Sequence, residues 1–200
     1  MYEIKQTEWN GKVLYARGNT ELLRLPSIAF VGTRNPTEHG AGAGYRMVGK
    51  AARISGRVIV SGLAVGCDTI AHRAALDENT PTVAVLPCAI DTVRPASNRK
   101  LADNILRCGG CLISEYAPGT PTAKWMFVKR DALIADLSGG VIVIETGSGN
   151  GSMHTVKEAL KRGRPVGCYC RGRDIPGALT GMDVYGIYDT PELAAFLKRI

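Results

Sequence analysis

A doubly wound, mostly parallel α/β sheet with helices on both faces is the fold class this sequence predicts, on three observations. Strand-sized apolar runs such as Ile28-Ala29-Phe30-Val31 and Val141-Ile142-Val143-Ile144 are continuous rather than alternating, the pattern of strands buried on both faces. Each run is followed by a stretch of helical length, and such βα alternation forces parallel pairing through right-handed crossovers. Glycine-bearing turns stand where strand hands over to helix: Gly32-Thr33-Arg34, Ser61-Gly62-Leu63-Ala64-Val65-Gly66 and Gly147-Ser148-Gly149-Asn150-Gly151-Ser152. With 200 residues the chain suits one such core better than two, so a single Rossmann-like domain is expected.

Residues 1–27 read as a preamble in which Val13-Leu14-Tyr15-Ala16 offers one edge strand, and residues 28–200 read as the domain. The strand at 28–31 precedes a helix over about 38–55. The pattern recurs as a strand at 58–60 with a helix over 67–76, and as a strand at 83–86 with a loop and a helix over 98–107. Cys111-Leu112-Ile113-Ser114 precedes a loop containing Pro118-Gly119-Thr120-Pro121 and a helix over 128–137; the strand at 141–144 precedes a helix over 152–162, and a strand at 165–168 follows. Residues 177–186 read as loop with a brief strand. Thr190-Pro191-Glu192 supplies an N-cap, a proline at the first helical position and an acidic first turn, opening a last helix to Ile200.

Composition narrows the function classes. The chain is 45% hydrophobic, 22% charged and contains 24 Gly, which describes a globular protein rather than a disordered one. No apolar run approaches the roughly 18 residues of a membrane span, and the polar, mixed-charge N-terminus lacks the apolar core of a secretory signal, so a cytoplasmic protein without membrane contact is expected. Lys plus Arg number 25 against 18 Asp plus Glu, a net charge of +7 that favours polyanionic partners. The pairs Cys108/Cys111 and Cys168/Cys170 have no histidine nearby in sequence and read as buried thiols, with no metal, disulfide or cofactor assigned.

Glycine turns at helix N-termini let backbone amides approach an anion that the helix dipole also favours. Three in one chain point to a phosphate-bearing ligand. Arg34 leaves the first strand beside Gly32 and Thr33, where its planar fork can take a phosphate or can solvate a surface turn. Ser61 and Gly62 offer a hydroxyl and an uncluttered amide to a second phosphate, and Gly151, Ser152 and Thr155 form a third turn, with Glu145 at the strand end to orient the loop or meet a base. Asp68 and His72, four apart on one helical face, read as a buried carboxylate–imidazole pair that holds helix to loop rather than as catalytic groups. Phe127, Lys129 and Arg130, beside Trp125, combine charge with aromatic faces, as single-strand binding requires; one aromatic is expected in the core. Gly40-Ala41-Gly42-Ala43-Gly44 starts too late after the first strand to be a dinucleotide fingerprint and reads as helix packing.

The blocks Ile28 to Arg34, Val60 to His72, Leu112-Ile113-Ser114-Glu115-Tyr116 with Pro118 to Pro121, and Trp125 to Asp131 resemble, in order and spacing, those of the DprA/Smf DNA-processing family. The preamble's Leu14-Tyr15-Ala16-Arg17-Gly18-Asn19 is similar to the family's approach to its first strand. This resemblance implies an extended Rossmann domain that binds single-stranded DNA, dimerises, and helps load a RecA-type recombinase during DNA uptake or recombination, with no catalytic residue. Asp131 departs from the pattern, standing where the family has asparagine, and is expected to weaken or rebuild the DNA contact near Arg130. The helical and winged-helix domains of longer relatives are not in the sequence, as in a minimal homologue or one recruited to another pathway. Two other classes stay open: a small-nucleotide sensor, and a LOG-like phosphoribohydrolase, although its loop glutamate has no counterpart three residues after Ser152, where Thr155 stands.

Overall fold

The structure, a computed structural model, describes residues 2–146, 151–170 and 174–200. Its nine strands form one sheet in the order β1-β2-β6-β5-β4-β3-β7-β8-β9. The strands are β1 (Ile4–Trp9), β2 (Lys12–Gly18), β3 (Ser27–Val31), β4 (Val58–Ser61), β5 (Thr82–Val85), β6 (Cys111–Ser114), β7 (Val141–Val143), β8 (Val166–Tyr169) and β9 (Tyr185–Ile187). Strands β3 to β9 pair in parallel, and the β1–β2 hairpin joins antiparallel through β2 and β6. The helices are α1 (Glu38–Ser55), α2 (Cys67–Asp77), α3 (Arg99–Arg107), α4 (Trp125–Leu137), α5 (Gly151–Lys161) and α6 (Thr190–Leu197). The predicted doubly wound sheet is therefore present.

Alternate residues of each buried strand serve different helices. Ile28, Phe30, Ile59, Ile142 and Ile144 pack with Met47, Val48 and Ala51 of α1 and Phe196 of α6. Ala29, Val31, Val58, Val60, Val141 and Val143 face Leu133 and Ile134 of α4 and Val156 of α5. Burial on both faces explains why these strands read as unbroken apolar runs. In α1 the small residues are packing devices: a Cβ on Gly44 would overlap Ile144, and one on Gly40 would overlap Glu145.

Strand β3 is the centre of the winding. From it the chain steps through β4, β5 and β6 to one side and through β7, β8 and β9 to the other. The connections from β3 and β7 therefore diverge, leaving a crevice beyond their carboxyl ends, the usual ligand position in an open α/β sheet.

Several boundaries differ from the sequence reading. The segment expected as an edge strand, β2, lies one strand in, because β1 covers it. Strand β1 is largely exposed and lacks an apolar run, but Asn10 and Gly11 between the two strands have φ of 47° and 74°, and an Asn-Gly pair is the strongest short hairpin signal. Helix α4 begins at Trp125, three residues before its expected start. The cap of α6 is Asp189, which accepts from the Glu192 amide at 3.2 Å, and not Thr190. Among the described residues no helix is long and apolar enough to cross a membrane.

The hairpin is tied to the body at Asp136 of α4, which accepts from Trp9 Nε1 at 3.1 Å and lies 3.7 Å from Arg162 Nε. Asp136→Ala leaves the indole N–H unpaired, while Arg162 keeps its bonds to Glu158; thermal denaturation is expected to show a loss of about 1–2 kcal/mol, with Asp136→Asn losing less.

Candidate nucleic-acid interface

The crevice is a cleft of about 500 Å³. The turn after β3 supplies Gly32, Thr33, Arg34 and Asn35; the turn after β4 supplies Ala64 and leads to Asp68; α4 supplies Phe127, Val128, Arg130 and Asp131; the start of α5 supplies Gly151, Ser152, His154 and Thr155. The first two glycine turns and the described end of the third, Gly151 and Ser152, thus converge on one space. Residues Gly147 to Asn150 of the third turn lie outside the described residues.

The floor is built around Arg130. Its guanidinium is buried, and Nη1 donates to the Gly62 carbonyl and to the Val85 carbonyl, the latter at 3.2 Å, while Nε donates to Asp131 Oδ1 at 2.9 Å. It therefore clamps α4 to the carboxyl ends of β4 and β5, a structural role the sequence reading did not include, while still lining the cleft. Gly62 serves the clamp too, since a Cβ there would overlap the guanidinium. Asp68, also buried, accepts from the Ala64 amide at 3.2 Å. Burial raises the Asp68 carboxyl above its ordinary range against the opposing pull of Arg130, and burial likewise pushes Asp131 up to about 6, again opposed chiefly by Arg130.

Two further expectations are corrected by hydrogen bonding. Ser61 is fully buried and donates from Oγ to the Phe30 carbonyl at 2.7 Å, so its hydroxyl stitches β3 to β4 instead of meeting a phosphate. His72 does not pair with Asp68. Its Nδ1 lies 2.8 Å from Thr82 Oγ1, which itself donates to the Ile59 carbonyl at 2.8 Å; Nδ1 therefore carries the proton. Burial pushes the imidazole down to about 3, and it stays neutral. The turn itself is held by Asn98, whose Nδ2 donates to the Leu63 carbonyl at 2.9 Å and to the Ala64 carbonyl at 3.2 Å while Leu63 sits at φ 59°. Sequence reasoning missed Asn98 because it lies on a distant helix start.

The rim keeps groups free for a ligand. Arg34 is exposed, and its guanidinium carbon lies 5.8 Å from the centroid of the Phe127 ring, so charge and aromatic face are presented together. Thr33 offers less than expected, since its amide donates to the Glu145 carbonyl at 2.9 Å and its hydroxyl accepts from the Asn35 amide at 3.2 Å. Opposite, Ser152 and Thr155 are buried in the first turns of α5, with the exposed His154 between them. His154 was not singled out from sequence; its place on a helix that starts at the glycine turn is the signal that could have found it.

Besides Ser61, Gly62 and His72, Glu145 and Lys129 do not line the cleft. Glu145 accepts from the Thr37 amide at 3.1 Å and from the Thr37 hydroxyl at 2.9 Å, fixing the cap of α1. Lys129 points to the outer side of α4, 3.5 Å from Glu115 and 5.7 Å from the centroid of the Tyr116 ring. Neither aromatic of the block is core: Phe127 is half-buried and Trp125 is 57% exposed. Burial pushes the Cys67, Cys111 and Cys168 thiols up to about 12, which leaves them unreactive at neutral pH.

The clamp and the rim predict opposite behaviour. Arg130→Ala strands two buried carboxylates and is expected to cost about 3–5 kcal/mol of stability, whereas Arg34→Ala is expected to melt within about 0.5 kcal/mol of the parent. Because Asp131 is raised from 3.8 to about 6, its protonated form is favoured by folding; that contribution is complete below pH 3.8 and is lost as pH rises through 6. Asp131→Asn, which keeps an acceptor for Nε, is therefore expected to stabilise the fold at pH 7.5 on the order of 1–3 kcal/mol, a gain that shrinks toward pH 4. Denaturant melts at the two pH values check the sign.

With this geometry in place, comparison with known proteins is informative. Residues 2–187 match the family described as DNA recombination-mediator protein A. DNA processing protein DprA of Streptococcus pneumoniae is 38% identical over 154 residues, 77% of this chain and 54% of that protein. DprA of Bacillus subtilis is 38% identical over 155 residues, 77% of this chain and 52% of that protein. The chain spans about half the length of the curated relatives it matches. A solved structure of DNA processing protein A from Helicobacter pylori, described for its single-stranded DNA binding mode, superposes with a TM-score of 0.86 at 29% identity, covering 99% of this chain and 97% of that one. The chain belongs to the DNA recombination-mediator protein A (DprA/Smf) family.

Proposed function

We propose that this chain binds single-stranded DNA without turning it over, protects it, and assists loading of a RecA-type recombinase in DNA uptake or recombination, acting as a homodimer. The observation that carries the DNA reading is the pairing of Arg34 with the Phe127 ring at the mouth of a cleft onto which the glycine turns converge. A guanidinium for a phosphate beside a ring for an unpaired base is the minimal single-strand contact. The net charge of +7 supports a polyanion, and the Helicobacter pylori relative is described as binding single-stranded DNA. Recombinase loading and dimerisation rest on family membership.

The placement of charge favours a backbone at the rim and a base inward. Arg34 and the α5 N-terminus attract phosphate at the mouth, while Asp68 and Asp131 make the floor unfavourable to a second anion. Turnover is disfavoured because each carboxylate near the cleft is engaged. Asp131 is held by Arg130, Asp68 by the Ala64 amide, Glu145 by Thr37, and Glu158, one turn beyond Thr155, by Arg162. A nucleotide sensor is the second reading, favoured by a cleft whose volume of about 500 Å³ suits one or two nucleotides.

Titration of a labelled oligothymidine is expected to show tighter binding of single-stranded than duplex DNA with little sequence preference. Arg34→Ala should weaken it and reduce the salt slope by about 1; Lys129→Ala should do less, because Glu115 already shares its charge. Tight binding of nucleoside monophosphates with no oligonucleotide binding would select the sensor. Released base from a monophosphate panel, abolished by Glu145→Gln or Glu158→Gln, would select the hydrolase.

A further inference from the structure

Beyond the mouth of the cleft, the start of α4 carries an aromatic surface that the cleft itself does not use. Trp125 is 57% exposed and Val128, one turn further on, is 48% exposed. Residues three apart on a helix share a face and are separated by about one 5.4 Å turn. Val128 lines the cleft, so Trp125 stands one turn outside its mouth on the same face. An exposed tryptophan is normally stabilised by covering it, and here its environment instead holds it in position. Its ring meets Tyr116 edge to face at 5.9 Å between centroids and 80° between planes. Such a contact uses one edge or one face of the indole and leaves a face open.

The brace is itself rigid. Tyr116 is buried, its amide donates to Ser114 Oγ at 3.0 Å, and its carbonyl accepts from the Ile90 amide at 3.2 Å. Charge surrounds the platform in the sign a nucleic acid needs: Lys124 precedes the tryptophan and is exposed, and Lys129 lies against the Tyr116 ring, tethered 3.5 Å from Glu115. The cleft, at about 500 Å³, holds a nucleotide or two, so a longer strand must leave over its rim. The exit over Val128 is apolar and leads to an open aromatic face flanked by two lysines.

We infer that Trp125, braced by Tyr116, is a base-stacking platform for the single strand where it leaves the cleft, one nucleotide beyond the Arg34–Phe127 contact. This rests on the single-strand reading above and extends it from a pocket to a path. Stacking on an indole is tolerant of sequence because every base presents a π-face, and a preordered ring loses little entropy when it is covered.

Two tryptophans make the test direct, since the other, Trp9, is bonded to Asp136 at the hairpin. In a Trp9→Phe background Trp125 is the only tryptophan. Oligothymidine of ten or so nucleotides, long enough to leave the cleft, is expected to quench its fluorescence strongly, whereas thymidine monophosphate is expected to leave it unchanged. Trp125→Ala should weaken the oligonucleotide about tenfold, the scale of one stacked base, leave monophosphate binding and melting temperature intact, and be partly rescued by Trp125→Phe. Oligonucleotide binding seen by anisotropy, with no quenching and no effect of Trp125→Ala, would overturn the platform while leaving the single-strand reading standing. Failure of the parent protein to bind any oligonucleotide by anisotropy would overturn both.

Discussion

The buried guanidinium of Arg130 is the constraint on which the site depends. It joins three elements that are distant in sequence, because one side chain on α4 donates to the carbonyl of Gly62 after β4 and to that of Val85 at the end of β5. Those carbonyls lie at carboxyl ends of parallel strands, where the next residue turns away and the sheet supplies no further donor. An arginine answers this need better than a lysine could, since its fork reaches two acceptors while Nε remains for Asp131. The glycine at 62 follows, because only a residue without Cβ admits the guanidinium so closely to the backbone.

Burying that cation obliges the fold to bury counter-charge. Asp131 pairs with it directly and Asp68 is drawn down by its field, yet both carboxyls titrate above their ordinary range, so burial outweighs attraction at each. Desolvation exceeding the Coulombic gain is the common outcome for ion clusters in an interior. What the cluster contributes is placement rather than stability: it fixes the glycine turn after β4 and the wall of α4 relative to each other, and the ligand cleft lies between them. At the mouth, Arg34 presents its charge exposed.

This arrangement explains which parts were legible in the sequence. Strands β3 to β8 and helices α1 and α2 were readable because periodicity and unbroken apolar runs report burial directly, and burial is what the sheet imposes. The exposed β1 carried no such signal. The motif residues Gly32, Thr33, Arg34, Phe127, Arg130, Gly151, Ser152 and Thr155 line one cleft, but the individual contacts differ from the sequence reading wherever a polar side chain has a nearer obligation. Ser61 answers the Phe30 carbonyl, His72 answers Thr82, and Arg130 answers Gly62 and Val85. Each satisfies a group that sequence cannot display, because the acceptor is backbone brought close only by the fold. Arg34 differs because its side chain is exposed at the cleft mouth and lies over the Phe127 ring.

The position of Asp131 changes how its departure from the family asparagine is to be understood. Had it faced the mouth, its charge would have opposed a phosphate directly. It lies instead against Nε of Arg130, so an asparagine could make the same hydrogen bond through its carbonyl oxygen but would leave the guanidinium less neutralised. On the proposed reading, the aspartate would act on a ligand through the field of the floor, weakening the pull of Arg130 and leaving the attraction for a backbone phosphate to Arg34 and the start of α5. In a cleft partly shielded from water such a field is felt over several ångströms. On the single-strand reading proposed above, an asparagine here would favour a deeper phosphate and the aspartate favours one at the rim, beside the exposed Val128.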